Sequence, residues 1–141
     1  MATWLTRWII AQMGLALLLM PGCARNPALA EAEDPLQAGW HNYSLSEFDR
    51  AESFFEQAIA QAPAGSDAQL KALYGLATTL NLRRPNENPE KAREIYQQIE
   101  KTAPNSDLAA WSLLALARMK HLVPVGDEPD YQEVFKAYQE V

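Results

Sequence analysis

The one thiol of the chain is its best candidate for covalent chemistry. Cys23 is the only cysteine among 141 residues, and it lies three residues after Met20, the last member of an apolar run. A single cysteine cannot form an internal disulfide. The position therefore favours either covalent modification of the thiol or a role as a small buried hydrophobic residue.

Few residues are candidates for acid–base catalysis or metal binding. His41 and His121 are the only histidines, and neither has a partner at the i+3 or i+4 spacing of a helical metal site. The segment GDEPD supplies Asp127, Glu128 and Asp130 without the regular oxygen spacing of a calcium loop. We interpret the histidines as surface or packing residues and the acidic segment as a solvated turn.

No pair of carboxylates stands out as a catalytic acid and base. The helical segments carry glutamates among lysines, arginines and glutamines, which is typical of a solvent-exposed face. These glutamates are Glu52, Glu56, Glu90, Glu94 and Glu100. The sequence therefore predicts that the protein is not an enzyme, with no catalytic residue, no metal site and no cofactor.

Length and charge restrict the class of protein further. A chain of 141 residues, 48% of them hydrophobic, fits one folded domain. The net charge is -6, and Arg83 and Arg84 form the only basic cluster. Because phosphate backbones are bound by clustered lysine and arginine, the sequence predicts no nucleic-acid partner.

Residues 1–22 are typical of an export signal. Arg7 and the amino terminus supply positive charge, and residues 8–20 form an apolar run of 13 residues. A helix that crosses a membrane needs about 20 such residues. The segment therefore favours export with cleavage, and an uncleaved anchor is the alternative.

The segment MPGC resembles the lipobox of bacterial lipoproteins, in which a cysteine after an aliphatic and two small residues receives lipid. The resemblance implies a signal peptide over residues 1–22 and a lipidated Cys23 at the new amino terminus. Several acyl chains hold a protein stably at a membrane. A competing small-x-small pattern at Ala28 and Ala30 predicts cleavage after Ala30 instead, which would give a soluble periplasmic protein.

The residues after the cysteine bear on location. Ala24 follows Cys23, whereas an aspartate there is the usual signal for inner-membrane retention in lipoproteins of diderm bacteria. The resemblance thus implies an outer-membrane lipoprotein of the cell envelope that faces the periplasm. Residues 23–34 form the lipidated cysteine and a linker, whose 11 residues ARNPALAEAED reach at most about 40 Å when extended.

Two later segments repeat one spacing. Small, aromatic or aliphatic residues and a proline occur at offsets 0, 4, 7 and 12 in FDRAESFFEQAIAQAP and again in PEKAREIYQQIEKTAP. The positions are Ala51, Phe55, Ala58 and Pro63, then Ala92, Tyr96, Ile99 and Pro104. Offsets of 4 and 7 place side chains on one face of a helix, and proline ends the helix.

This spacing is similar to that of the second helix of a tetratricopeptide repeat, a pair of antiparallel helices of about 34 residues. The resemblance covers residues 35–141 and implies an all-α fold, an α-solenoid of roughly three helix pairs. Gly39, Gly75 and Ala115 would then lie where the helices of each pair cross. The turn after Gly75 is five residues longer than in the first pair, and RRPNENPEK is predicted to form that loop.

The third repeat matches the family in both helices. Trp111, Leu114 and Ala115 fit its W-x-x-L-G/A signature, and Val134, Tyr138 and Val141 fit the second-helix spacing. A solenoid exposes an apolar face at its last helix unless something covers that face. We therefore expect the last repeat to be incomplete or uncapped, because the sequence is a fragment of a longer repeat protein or because a partner or second copy covers it.

The family binds peptides or extended segments of partners on the concave face formed by the first helices. The resemblance implies that the groove-facing, partner-binding residues are Trp40, Tyr43, Leu76, Thr79, Leu116 and Met119. This set lacks the lysine, arginine and asparagine of a carboxylate clamp, so we expect an apolar or amphipathic helix or strand as the ligand. The competing interpretation is that these are ordinary core residues.

The anchor and the helix pairs together resemble several envelope lipoproteins. Examples are the repeat-containing lipoprotein of the outer-membrane barrel-assembly machinery and the pilotin-type lipoproteins of secretin or pilus assembly. We therefore expect a membrane-tethered protein–protein interaction scaffold that binds a protein or peptide partner of the cell envelope. A soluble periplasmic adaptor and self-association through the uncapped last helix are the alternatives.

Overall fold

Six α-helices make up the residues that the computed structural model describes, 34–82 and 85–141, and no strand occurs among them. In chain order they are α1 (Pro35–Ser44), α2 (Phe48–Gln61), α3 (Asp67–Leu82), α4 (Pro89–Thr102), α5 (Asp107–His121) and α6 (Tyr131–Gln139). All described residues belong to one compact unit, Glu33–Val141. The predicted signal peptide, Cys23 and most of the linker lie outside the described residues.

Short polar side chains cap the beginning of five of these helices. Ser66 accepts a hydrogen bond from the amide of Gln69 in the first turn of α3 at 3.2 Å. Asp34 and Asn88 accept hydrogen bonds from amides in the first turns of α1 and α4, at 3.2 and 3.1 Å. Ser106 accepts from an amide of α5 at 3.1 Å, and Asp130 from two amides of α6 at 3.0 and 3.2 Å. These bonds satisfy amides that have no partner inside the helix, so the caps determine where the helices begin.

The helices pack as three consecutive hairpins, α1 with α2, α3 with α4, and α5 with α6. Each second helix also packs against the first helix of the next hairpin, and α3 contacts both α1 and α5. This arrangement is an α-solenoid of helical hairpins, which confirms the predicted all-α fold. It makes α3 the central helix, because α3 packs against four others.

Two glycines allow an aromatic ring of α2 to pack closely against the first helices. Phe55 is fully buried. A Cβ atom on Gly39 would lie 2.6 Å from Cε1 of Phe55, and one on Gly75 would lie 2.4 Å from the same atom. Because such contacts are shorter than real Cβ atoms make, glycine is required for this packing. The predicted helix crossings at Gly39 and Gly75 are therefore confirmed.

The repeated spacing on α2 and α4 forms the centre of the core. Its three non-proline positions are buried in both segments: Ala51, Phe55, Ala58, Ala92, Tyr96 and Ile99. Leucines of α3 complete the same cluster. Burial of each large apolar side chain contributes about 1.5–3 kcal/mol. The core therefore links the first two hairpins through α3.

The loop between α3 and α4 is shorter than predicted. The sequence predicts a loop over RRPNENPEK, but α4 already begins at Pro89, so Pro89 and Lys91 are helical. Asn88 caps this helix, and proline suits its first position because proline has no amide hydrogen to leave unsatisfied. The amide of Asn88 also donates to the carbonyl of Leu80 at 2.9 Å, which ties the loop to the end of α3.

Candidate functional site

Four of the six predicted groove residues lie at the edge of the core. Trp40 and Tyr43 are half-buried on α1, and Leu116 and Met119 are half-buried on α5. All four pack against the buried cluster that α2, α3 and α4 share. Each of these side chains therefore has one side in the core and retains some accessible surface.

Leu76 and Thr79 lie inside the molecule instead. Their exposed fractions are 5% and 0%, and the Thr79 hydroxyl donates to the carbonyl of Gly75 at 2.8 Å. The physical reason is the central position of α3, which packs against four helices and has little free surface. This corrects the assignment of Leu76 and Thr79 as partner contacts, because a buried side chain has no surface to offer a partner.

Five rings form a continuous row across the first two hairpins. In order they are Phe48, Tyr43, Trp40, Tyr74 and Tyr96, and consecutive ring centroids are 5.8, 5.6, 6.4 and 5.7 Å apart. Two of the four pairs meet edge to face and two are tilted, and such pairs contribute about 0.5–1.5 kcal/mol each beyond burial. We call these five residues the aromatic row; all except Tyr96 are half-buried.

Tyr74 and Phe48 belong to this row but were not predicted as site residues. Tyr74 directly precedes the crossing glycine Gly75, and the residue that precedes Gly39 is the fully buried Ala38. The register therefore favours an inward side chain at Tyr74, whereas Tyr74 is only half-buried and its ring lies between those of Trp40 and Tyr96. The only sequence feature that distinguished Tyr74 was a large aromatic ring directly before the crossing glycine Gly75.

Burial favours the uncharged form of two phenols in the row, those of Tyr43 and Tyr96. Burial raises the pKa of Tyr43, and the neighbouring Tyr74 raises it further. Burial raises the pKa of Tyr96 to about 12, although its hydrogen bond with Thr78, 3.1 Å between hydroxyl oxygens, lowers it. The half-buried part of the row therefore consists mainly of aromatic rings, which suits an apolar or amphipathic ligand rather than an ionic one.

The candidates for acid, base and metal chemistry are separate surface residues. His41 and His121 are exposed, and His121 contacts the ring of Tyr138 at a centroid distance of 6.1 Å. Asp130 caps α6, and the other two acids of the GDEPD segment are exposed. Within residues 34–82 and 85–141, no three His, Cys, Asp or Glu side chains come together as a metal-binding group.

An open cleft of about 530 Å³ lies at the start of α2. Its lining residues are Ser46, Glu47, Phe48, Asp49, Arg50, Pro85 and Asn86. The guanidinium of Arg50 lies 2.7 Å from the carboxylate of Glu47. Because that ion pair neutralises the cation on its wall, the cleft does not offer an unpaired positive charge to an anion.

A search of family models, curated proteins and solved structures finds no match to this chain. None of the helices in the described part of the chain is long and apolar enough to cross a membrane.

Proposed function

We propose that the protein is a membrane-tethered interaction scaffold of the bacterial cell envelope, which holds a segment of a partner protein against its first helices. The observation that carries this proposal is the aromatic row on the solenoid, in which four half-buried residues have neighbouring rings. Tyrosine and tryptophan are the residues most enriched among energetically dominant interface contacts. The row therefore supports protein recognition.

We also propose that the three helical hairpins are tetratricopeptide-like repeats. Its support is the glycine crossing, since Gly39 and Gly75 both lie against the ring of Phe55 as the repeat register requires. The recurrence of the same buried spacing on α2 and α4 supports it further. Proteins of this architecture use the layer of first helices to hold extended partner segments.

The contacts that we propose differ from the sequence prediction at the central helix. Trp40 and Tyr43 act as anchors together with Tyr74, which replaces the buried Leu76 and Thr79. On α5, the partly accessible Leu116 and Met119 are the second contact region. The ligand is an apolar or amphipathic segment, because ring faces bury apolar groups and phenol hydroxyls satisfy its backbone.

The support for the proposed lipid anchor is the MPGC segment, which contains Cys23. The alternative is a soluble periplasmic adaptor that is cleaved after Ala30. The test is the intact mass and membrane partitioning of the protein in a diderm bacterium, beside a Cys23→Ser control. An acylated amino terminus at Cys23 that the control lacks supports the anchor. A soluble product that begins at Glu31 in both proteins supports the adaptor.

Partner binding is tested by photocrosslinking in the same cells. A photoreactive phenylalanine analogue at Tyr43 samples the row, and the same analogue at the exposed Gln98 of α4 is the matched control. We expect a defined crosslinked species from position 43 that Trp40→Ala removes, with circular dichroism showing that this variant stays folded. Equal crosslinking from both positions would contradict the proposal.

A further inference from the structure

Three residues of the aromatic row carry a polar group that reaches solvent. Within residues 34–82 and 85–141, the indole N–H of Trp40 and the hydroxyls of Tyr43 and Tyr74 make no hydrogen bond. In the same part of the chain, every buried side-chain nitrogen or oxygen atom has a hydrogen-bond partner. Because all three residues are half-buried, their polar groups must therefore lie on the accessible side of each ring.

The hydroxyl of Tyr96, at the other end of the row, is used inside the protein. The hydroxyl of Thr78 donates its single hydrogen to the carbonyl of Tyr74 at 2.9 Å. The Tyr96 hydroxyl lies 3.1 Å from the same Thr78 oxygen, so Tyr96 is the donor in that contact. The three accessible groups are therefore the polar groups of the row that a ligand can reach.

The charged side chains that flank the half-buried rings are engaged with other groups of the protein. The carboxylate of Glu47 lies 2.7 Å from the guanidinium of Arg50, and the ammonium of Lys71 lies 2.6 Å from the carboxylate of Asp67. Asp49 also has an interaction within the chain. Each of the two ion pairs has no net charge, so these flanks favour a ligand segment without formal charge.

The accessible donors of the row distinguish between backbone conformations of a ligand. An α-helix pairs its own backbone groups, so the middle of a docked helix would leave the donors of the row buried and unpaired. A β-strand presents amide groups that need acceptors, and the indole of Trp40 can only donate. In a polyproline II helix the carbonyls have no internal partner, and proline has no amide hydrogen. Such a segment offers apolar rings and acceptors where the row offers aromatic rings and donors.

We propose that the aromatic row binds a proline-rich segment of the partner protein in the polyproline II conformation, an inference that rests on the proposed function of the row. Prolines of the segment pack on the rings of Trp40, Tyr43 and Tyr74, and its carbonyls accept hydrogen bonds from their polar groups. Proline-rich segments dock in grooves lined with aromatic residues because a preformed helix loses little conformational entropy on binding.

The test measures binding of the full chain to a fluorescein-labelled peptide of ten L-prolines by fluorescence anisotropy. The matched control is the same peptide made of D-prolines, which has the same composition and the opposite helical hand. A glycine–serine peptide of equal length measures non-specific binding. We expect the L-proline peptide to bind about fivefold or more tightly than either control.

Two variants test the hydrogen bonds and the rings separately. Tyr43→Phe/Tyr74→Phe removes both hydroxyls and keeps the rings, so it should bind the L-proline peptide about fivefold or more weakly. Trp40→Ala removes the largest ring and its donor, and it should bind about tenfold or more weakly. Tyr131→Phe is the matched control, since Tyr131 is 65% exposed on α6 and outside the row. Circular dichroism checks that each variant stays folded.

Equal affinity for the L-proline and D-proline peptides would overturn the inference. So would wild-type affinity in Tyr43→Phe/Tyr74→Phe, because the hydroxyls would then make no contact with the ligand. Photocrosslinking from position 43 distinguishes this failure from that of the proposed function. A crosslinked partner that Trp40→Ala removes would keep the row as a binding site for another class of segment, whereas the absence of such a partner would overturn the proposed function as well.

Discussion

The contact between Gly75 and Phe55 gives the sharpest test of the packing. Glycine to alanine in a helix normally stabilises a protein by about 0.5–1 kcal/mol. Here the new Cβ atom would lie 2.4 Å from Cε1 of the buried ring. We expect Gly75→Ala to lower the free energy of unfolding by about 1–3 kcal/mol, measured by urea unfolding and circular dichroism.

A second variant distinguishes the steric clash from a general effect at this position. Phe55→Leu removes the ring atoms that approach Gly75, so the loss caused by Gly75→Ala should be smaller when Phe55→Leu is already present. Additive losses in the double variant, or an increase in stability in Gly75→Ala alone, would show that the ring does not restrict this residue.

Tyr96 predicts how stability depends on pH in the alkaline range. Its pKa is raised to about 12 in the folded protein, mainly by burial, whereas an unfolded tyrosine has a pKa of about 10. Below pH 10 both states are protonated and the full stability is present. Above pH 10 the unfolded state loses its proton first, so the free energy of unfolding falls as the pH rises towards 12.

The control for this prediction is Tyr96→Phe, which removes the titrating hydroxyl and its hydrogen bond with Thr78. Urea unfolding between pH 9 and 11.5 should show a smaller decline in the variant than in the wild type. The variant keeps part of the decline, because the pKa of Tyr43 is also raised. Parallel curves for the two proteins would indicate that Tyr96 ionises equally in both states.

At the residue scale, the sequence predicts which side chains meet between helices better than it predicts how exposed each side chain is. Gly39 and Gly75 were assigned correctly because a repeated spacing fixes which side chain opposes them. Leu76 and Thr79 were misplaced because their burial depends on how many helices surround α3, which no spacing within α3 reveals. Tyr74 differs in the opposite sense, because its position before Gly75 favours an inward side chain although the residue is only half-buried.

At the element scale, α6 should depend strongly on its cap. It spans only nine residues, and Asp130 accepts hydrogen bonds from two amides of its first turn at 3.0 and 3.2 Å. Short helices are marginal without such support. We expect Asp130→Ala to destabilise the protein by about 0.5–2 kcal/mol and to raise hydrogen exchange in α6.

The matched control for this cap is Asp127→Ala. Asp127 lies in the same loop, is exposed and carries the same charge, but it does not cap the helix. Its removal should leave the exchange rates of α6 close to those of the wild type. If both variants exchange equally fast, the lost negative charge rather than the cap explains the result.

The beginning of α4 was misread from the sequence, because the predicted loop RRPNENPEK includes the first three residues of that helix. Ser106 gives a clear start to α5. At Asn88 the two prolines and two asparagines of RRPNENPEK suggested a continuous loop, although Pro89 after Asn88 is itself a helix start. The composition of this segment predicts a turn, and the cap at Asn88 determines where the turn ends and α4 begins.

At the scale of the whole molecule, the solenoid predicts a gradient of stability along the chain. Each hairpin contacts only its neighbours, so stability is a sum of local terms. The central helix α3 packs against four helices, whereas α6 packs, among the described residues, against α5 alone. Native-state hydrogen exchange should therefore be slowest in α3 and fastest in α6.

Two core truncations compare the end of the solenoid with its centre. Val134 of α6 and Ile99 of α4 are 6% and 0% exposed, and each truncation to alanine leaves a cavity in apolar surroundings. Ile99→Ala should cost about 2–5 kcal/mol and Val134→Ala less, because a marginal terminal helix can adjust around the cavity.

The exchange pattern of these variants distinguishes local unfolding from cooperative unfolding, which the total stability does not. Val134→Ala should speed exchange in α5 and α6 while α1 to α3 keep their protection, since no described contact joins α6 to the first two hairpins. Ile99→Ala should speed exchange in α3, α4 and α5 together, because α4 packs against both neighbours. If Val134→Ala instead lowered protection in α1 and α3 as much as in α6, the hairpins would unfold as one cooperative unit.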